Sequence, residues 1–228
     1  MNICRAKASR QPAQDMALTA AMLRSVAEGR VSAMLRIVEP GPTVAFGKRD
    51  TFCAGFQRAA QAARLHGFEP IIRQAGGHAV AYDERSVVLE LLRPEEQLSG
   101  VSGDRLSELT ALIRDSLGQL GVHLELGELP GEYCPGRFSL HIAGGPKVAG
   151  IAQRVMKGAS LTTAVVVVGS GRRLRAVTAD VYTALQLPLD VFTVGSIDDC
   201  YGSVGVSMVA DAIAKLAPSQ LNSFENPL

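Results

Sequence analysis

A hairpin predicted in the second half of the chain constrains the fold most strongly. Residues 137–142 alternate between polar and apolar side chains, and Ala143-Gly144-Gly145-Pro146 follows them. Alternation with a period of two indicates a strand, and a short segment of glycine and proline reverses the chain. Because the return strand begins at Lys147, the two strands are expected to pair in an antiparallel sheet.

Amphipathic helices are predicted on both sides of this hairpin. Apolar residues recur at helical spacing in residues 13–28, 55–66 and 103–120, and helices are also predicted at 178–186 and 203–217. Apolar runs predict further strands at 33–38, 43–46, 68–71, 87–92 and 164–168. This alternation predicts an α+β fold with a mixed, largely antiparallel sheet flanked by helices. The 228 residues are expected to form a single domain, with residues 218–228 as a frayed tail.

The composition argues against several classes of function. A formal net charge of +1 creates no field that would recruit nucleic acid or an anionic membrane. The cysteines are Cys4, Cys53, Cys134 and Cys200, and their wide spacing does not fit a metal site. Because the N-terminus has no apolar signal core and no run reaches membrane-spanning length, we expect a cytoplasmic protein with reduced cysteines and no membrane partner.

Cys134 lies where the chain turns before the hairpin, in Tyr133-Cys134-Pro135-Gly136. A single cysteine is most often a small buried apolar residue. The thiolate, however, is the nucleophilic form, and a nearby ammonium favours it, so Cys134 and Lys147 are candidates for an acyl-transfer pair. A straight strand over residues 137–142 would separate Cys134 from the turn by about 20 Å, so the pair meets only if the loop folds back.

A second candidate site is the segment Arg73-Gln74-Ala75-Gly76-Gly77-His78-Ala79, which lies between two predicted strands. Two glycines let the backbone approach a ligand closely, because no Cβ intervenes. A plain hairpin turn is the alternative interpretation of this segment when it is considered alone. The segment therefore indicates a binding wall only in combination with other motifs.

Three segments together resemble one known superfamily. They are Pro42-Thr43-Val44-Ala45-Phe46-Gly47-Lys48, the Arg-x-x-Gly-Gly-x-Ala-Val motif that begins at Arg73, and the Lys-Val-Ala-Gly-x-Ala-Gln-Arg motif that begins at Lys147. In this order and spacing they are similar to the lipoate–protein ligase, octanoyltransferase and biotin ligase superfamily. Asp15-Met16-Ala17-Leu18 is similar to its N-terminal signature. The resemblance covers roughly residues 12–200 and implies a single catalytic domain of the biotin/lipoate ligase type.

Within that superfamily, the loop around Cys134 resembles the amidotransferase branch, which uses a cysteine thioester instead of ATP. The resemblance implies transfer of an octanoyl or lipoyl group between carrier-protein lysines in lipoate assembly, with no cofactor required. It implies the glycine-cleavage H protein and the lipoyl domains of 2-oxoacid dehydrogenase complexes as partners. It implies that Cys134 carries the acyl group and that Lys147 is the catalytic lysine. The residues expected to bind substrate are Arg73, Gly76, Gly77, His78, Ala79, Gly150 and Ala152.

Two alternatives remain open at this point. An ATP-dependent lipoate–protein ligase would share the fold and use Lys147 at the acyl carboxyl, which would make Cys134 incidental. A non-catalytic acyl- or carrier-protein-binding paralogue would keep the fold without the chemistry, and the departures at Ala75 and Thr162 from the family pattern favour it. The segment Glu84-Arg85-Ser86-Val87-Val88 replaces the asparagine-rich stretch of ATP-using ligases, which counts against nucleotide use.

Overall fold

The structure is a computed structural model that describes residues 1–7, 11–95, 101–202 and 204–222, without the side chains of 101–104 and 222. The strands of these residues, in chain order, are β1 (Asn2–Lys7), β2 (Met34–Glu39), β3 (Thr43–Phe46), β4 (Glu69–Ile72), β5 (Val80–Tyr82), β6 (Ser86–Glu95), β7 (Leu124–Leu126), β8 (Leu140–Ile142), β9 (Lys147–Met156) and β10 (Gly158–Val167). The α-helices are α1 (Pro12–Ala27), α2 (Phe56–Leu65), α3 (Val101–Gly118), α4 (Gly171–Leu185), α5 (Asp198–Tyr201) and α6 (Val206–Asn222). Two 3₁₀ helices span Lys48–Phe52 and Val191–Thr193.

The strands form two sheets. The larger sheet has the order β1-β2-β6-β10-β9-β8-β7, and the smaller sheet has the order β4-β3-β5. Strand β1 runs parallel to β2, and β3 runs parallel to β4. The other pairs of named strands are antiparallel. The predicted α+β fold with a mixed, largely antiparallel sheet flanked by helices is therefore confirmed, with the strands divided between two sheets.

Apolar side chains form one large cluster on the larger sheet and a second cluster that joins the smaller sheet to β10. Helices α3 and α6 cover the larger sheet, where Leu109, Ile113 and Leu117 of α3 are fully buried in one cluster with Val148 of β9. Helices α2 and α4 pack against each other beside the smaller sheet, in a second cluster that contains Phe46. Burying one such side chain contributes about 1.5–3 kcal/mol, so these helix faces hold the sheets in place. Among the described helices, none has the length and apolar character needed to cross a membrane.

The predicted strand over residues 137–142 is wrong in its first half. Only Leu140–Ile142 forms a strand, and residues 135–139 form an irregular loop with a turn at Arg137 and Phe138. The backbone N–H of Gly136 and the hydroxyl of Ser139 donate to the buried carboxylate of Glu132, which folds this stretch into a compact loop. The separation of about 20 Å expected for a straight strand does not arise.

The C-terminal helix is longer than predicted. Helix α6 continues through Pro218 to Asn222, so residues 218–222 are not a frayed tail, and residues 223–228 lie outside the described part of the chain. Ala217 and Leu221 are fully buried, and the Leu221 carbonyl accepts a hydrogen bond of 3.0 Å from the Arg93 guanidinium. These contacts hold the last turns although Pro218 has no N–H to donate.

Candidate active site

The loop between β7 and β8 is held by the Lys147 ammonium. Lys147 begins β9, and its Nζ donates to Glu132 Oε1 at 3.0 Å and to the carbonyl oxygens of Tyr133 and Cys134 at 2.9 Å each. Cys134 has a φ of 42°, in the left-handed region that side-chain-bearing residues rarely adopt. Because an ammonium has three N–H donors, these three acceptors use all of them. The structure therefore brings the two residues predicted as catalytic together.

Burial governs the electrostatics of Lys147. Its side chain is 1% exposed, and this burial lowers the pKa of Lys147, although the nearby Glu132 carboxylate opposes the shift. The Tyr133 ring adds a further contact, with its centroid 4.6 Å from Nζ. Removing a charged pair of this kind from water is costly unless it is fully hydrogen-bonded, and here it is.

Glu132 organises the same loop and was not predicted from the sequence. Its Oε1 accepts hydrogen bonds from Lys147 Nζ, from the Gly136 N–H at 3.2 Å and from the Ser139 hydroxyl at 2.5 Å. Its Oε2 accepts from the Leu129 N–H at 3.1 Å. A buried carboxylate with several donors is a rigid anchor, so Glu132 fixes the turn on which Cys134 stands.

The Cys134 sulfur accepts two hydrogen bonds from the glycine-rich segment between β4 and β5. The His78 backbone N–H lies 3.2 Å from Sγ, and Arg73 Nη2 lies 3.4 Å from it. Arg73 Nη2 also donates to the His78 carbonyl at 2.9 Å, which fixes the guanidinium beside the sulfur. A backbone N–H and a guanidinium together stabilise negative charge on sulfur.

Gly77 makes this close approach possible. Its φ is +97°, and a Cβ at this position would lie 2.6 Å from Cys134 Sγ and 2.5 Å from Arg73 Nη2. Both the backbone conformation and the space therefore require glycine. The group that lies against Gly77 is the Cys134 sulfur, and substrate binding by the glycine pair stays a prediction.

Tyr182 of α4 connects the two loops and was also missed in the sequence. Its hydroxyl accepts a hydrogen bond of 2.7 Å from the Cys134 N–H and donates one of 3.0 Å to the Ala79 carbonyl. Burial raises the pKa of Tyr182 well above its usual value, so the hydroxyl keeps its proton for this bridge. Helix packing at α4 thereby sets the position of Cys134.

His78 lies in a polar cluster that includes the buried Asp50. His78 Nδ1 lies 2.6 Å from Asp50 Oδ1, and Arg49 Nη1 lies 3.4 Å from His78 Nε2. The second oxygen of Asp50 accepts a hydrogen bond of 2.8 Å from the Gly47 N–H. Gly47 belongs to one of the family-like motifs, but the sequence contained no signal that Asp50 would join His78.

These groups surround a cavity of about 410 Å³ between the glycine-rich segment and strands β9 and β10. Of the residues predicted at the site, its lining contains Arg73, Gly76, Gly77, His78, Cys134, Lys147, Gly150 and Ala152. Ala79 is the exception, because it is buried beneath the segment and only its carbonyl takes part, through Tyr182. Apolar walls come from Val80, Leu106 and Ile151. The described residues contain no cluster of three or more histidine, cysteine or acidic side chains that could hold a metal ion.

Solved structures define the class of fold. A lipoate-protein ligase A bound with ATP superposes with a TM-score of 0.76 at 19% identity, covering 97% of this chain and 85% of that chain. A bipartite lipoate protein ligase from Thermoplasma acidophilum, studied with its E2 lipoyl domain, superposes with a TM-score of 0.72 at 18% identity, covering 97% and 83%. The fold is thus that of lipoate ligase catalytic domains.

The family follows from the sequence comparison. The model of the lipoyl protein ligase A/B catalytic domain matches residues 11–214, and the chain belongs to this family. An octanoyl-[GcvH]:protein N-octanoyltransferase from Exiguobacterium sibiricum is 31% identical over 211 residues, which cover 81% of this chain and 74% of that protein. The enzyme of the same name from Geobacillus kaustophilus is 33% identical over 145 residues, which cover 64% and 51%. The chain thus matches about half the length of the Geobacillus protein.

Proposed function

We propose that this protein is an acyltransferase that moves an octanoyl group from a lysine of the glycine-cleavage H protein to a lysine of a lipoyl domain, through a thioester on Cys134. The observation that carries the proposal is the sulfur itself, which lines the cavity and accepts hydrogen bonds from the His78 N–H and the Arg73 guanidinium. The names of the relatives support octanoyl transfer from the H protein. The T. acidophilum ligase, which has an E2 lipoyl domain as its partner, supports the acceptor class.

The first half-reaction is attack by the Cys134 thiolate on the carbonyl carbon of the octanoyl-lysine amide. A carbon–sulfur bond forms, the carbon–nitrogen bond breaks, and the nitrogen takes up one proton, so the donor lysine leaves as a neutral amine. In the second half, the neutral amine of the acceptor lysine attacks the thioester and gives up one proton, and the sulfur leaves as the thiolate. A thioester suits this exchange because it divides one difficult amide exchange into two steps, and no ATP is needed since both ends are amides.

Lys147 and Glu132 hold the loop that carries Cys134 in one conformation. The ammonium fixes the carbonyl oxygens of Tyr133 and Cys134, which flank the Cys134 Cα, so the sulfur is presented without a search through loop conformations. The charge of Lys147 lies in a water-poor environment, where it stabilises developing negative charge more strongly than in water. Arg73, whose guanidinium touches the sulfur, places a positive charge at the reacting atom.

The apolar part of the cavity fits the acyl chain. An eight-carbon chain gains about 0.8 kcal/mol per buried methylene, or about 5 kcal/mol in total. Gly150 and Ala152 of β9 and the Gly76-Gly77 pair leave the space beside the sulfur free of large side chains. Octanoyl and lipoyl groups have similar stems, and we assign octanoyl because the relatives carry that name.

A transfer assay without nucleotide tests this function. Octanoylated H protein and an unmodified lipoyl domain are mixed with the enzyme, and modification of the lipoyl domain is followed by mass. Transfer without ATP is expected. If the lipoyl domain is modified only when ATP and free octanoate are supplied, the protein is a ligase and the proposal fails. If neither mixture modifies the lipoyl domain, the non-catalytic alternative holds instead.

A further inference from the structure

The amide exchange needs a side chain that moves protons at the reacting carbon, since an amine leaves in one half-reaction and an amine attacks in the other. Lys147 is an unsuitable candidate in this structure. Its three N–H bonds point at Glu132 and at the carbonyls of Tyr133 and Cys134, and its side chain is 1% exposed. A proton could leave Nζ only if this anchor of the loop were broken. Proton transfer in this cavity therefore requires another titratable group.

His78 is that group. It lines the cavity with Cys134, and its side chain is 22% exposed, so the imidazole is reachable from the cavity. Its own backbone N–H holds the sulfur at 3.2 Å, so the ring branches from the residue that touches the nucleophile. Histidine is the side chain that changes its charge most readily near neutral pH.

The hydrogen bonds of His78 define its tautomer. Asp50 is fully buried and, as an ionised carboxylate, can only accept, so His78 Nδ1 carries a proton and donates to it. A guanidinium can only donate, so Arg49 Nη1 donates to His78 Nε2, which bears the lone pair. A buried carboxylate behind Nδ1 and a lone pair at Nε2, which meets the exposed Arg49 side chain, form the arrangement that orients a histidine base.

We infer that His78 is the proton-transferring residue of the exchange and that Asp50 is its positioning residue, an inference that rests on the proposed function. In the first half, Cys134 attacks as the thiolate, and the protonated Nε2 gives its proton to the departing lysine nitrogen as the carbon–nitrogen bond breaks. In the second half, the neutral Nε2 takes a proton from the attacking amine, and the sulfur leaves as the thiolate. The protons balance over the cycle, and no further reactant is needed.

The charges around His78 are compatible with this role. Asp50 and Arg49 face the ring from the 3₁₀ helix, Arg73 and Cys134 lie at its backbone, and Lys147 is paired with Glu132 across the cavity. Arg49 is exposed, so it can turn to solvent when Nε2 accepts a proton. Asp50 then stabilises the imidazolium that forms.

The test uses His78→Asn and two acyl donors. The asparagine amide can still donate to Asp50 from about the position of Nδ1, and the backbone N–H to the sulfur is kept, but no group remains at Nε2. Octanoyl-H protein has an amine leaving group that needs a proton, whereas p-nitrophenyl octanoate releases a stable anion. The rate of acyl-enzyme formation is measured for each donor by rapid quench and mass analysis. We expect a loss of about a hundredfold or more with the H protein and less than about fivefold with the ester.

Asp50→Asn serves as the second variant. An asparagine that accepts from Gly47 must present its NH₂ to His78 Nδ1, which moves the imidazole proton to Nε2 and removes the lone pair. The same selective loss with the H protein is expected, together with a changed pH profile of transfer. Equal losses of His78→Asn with both donors would overturn the inference and leave the thioester function standing. Absence of any Cys134 adduct in the wild-type protein with the H protein would overturn the proposed function and this inference with it.

Discussion

The Lys147 ammonium lies 2.9 Å from the carbonyl oxygen of Cys134, although 13 residues separate them in the chain. This contact makes the cysteine loop and the start of β9 one unit. Lys147 therefore also has a structural role, which its sequence motif alone does not indicate. Its side chain is among the largest that are fully buried.

Replacing Lys147 is therefore expected to affect stability as well as transfer. Removal of the Lys147 ammonium would leave Glu132 buried and without its cation. Loss of one partner of a buried pair costs about 3–5 kcal/mol. We expect Lys147→Met to lower the free energy of unfolding by about that amount in urea denaturation.

The matched control for this prediction is the double variant Lys147→Met/Glu132→Gln. A neutral amide at position 132 removes the uncompensated charge, so the double variant should recover more than about 1 kcal/mol relative to Lys147→Met. If the double variant instead loses as much stability as Lys147→Met and Glu132→Gln lose together, the pair is not coupled, contrary to the structure.

Tyr182→Phe should reduce transfer by loosening the cysteine turn. The variant removes the bond from the Cys134 N–H and the bond to the Ala79 carbonyl, at a cost of about 1–3 kcal/mol. Tyr201→Phe is the matched control, since the Tyr201 hydroxyl bonds both the N–H and the carbonyl of His123 away from the cavity. We expect the transfer rate to fall at least about tenfold in the first variant only. Similar rates in the two variants would show that the tyrosine bridge does not position the sulfur.

Neighbouring glycines provide a third comparison. Gly77→Ala forces a Cβ into the left-handed region and to 2.6 Å from the Cys134 sulfur, so acyl-enzyme formation should be almost lost. Gly76→Ala should be tolerated, because its added Cβ would meet only the Gln153 carbonyl, at 4.0 Å. The acylation rates of the two variants are compared by mass analysis. An active Gly77→Ala enzyme would contradict the close contact between Gly77 and the Cys134 sulfur.

Much of the fold could be predicted from local patterns, and the reason is visible in α3. Its apolar residues recur at helical spacing, and Leu109, Ile113 and Leu117 are indeed buried together. The short strand β7 was missed, because three residues carry too little periodicity. In residues 137–142, alternation suggested a strand where side-chain bonds to Glu132 make a turn instead. Alternation of side chains does not show that a carboxylate four to seven residues earlier in the chain binds these groups.

Sequence motifs identify only part of the site. Cys134, Lys147 and the glycine pair were identified from motifs, whereas Tyr182 and Asp50 were not. Tyr182 meets Cys134 across 48 residues of sequence, and Asp50 meets His78 across 28. Each lies in a helix with no pattern of its own that indicates chemistry, so only the packed structure brings it to the cavity.

The most direct test of the central claim is intact-mass analysis of the enzyme after incubation with octanoylated H protein in the absence of ATP. Wild-type protein and a Cys200→Ser control, which changes an exposed cysteine, should each gain the mass of one octanoyl group. Cys134→Ser should gain none and should lose transfer by orders of magnitude, because a hydroxyl is a far weaker nucleophile than a thiolate at neutral pH. A Cys134→Ser enzyme that still transfers octanoyl groups at the wild-type rate would contradict the account.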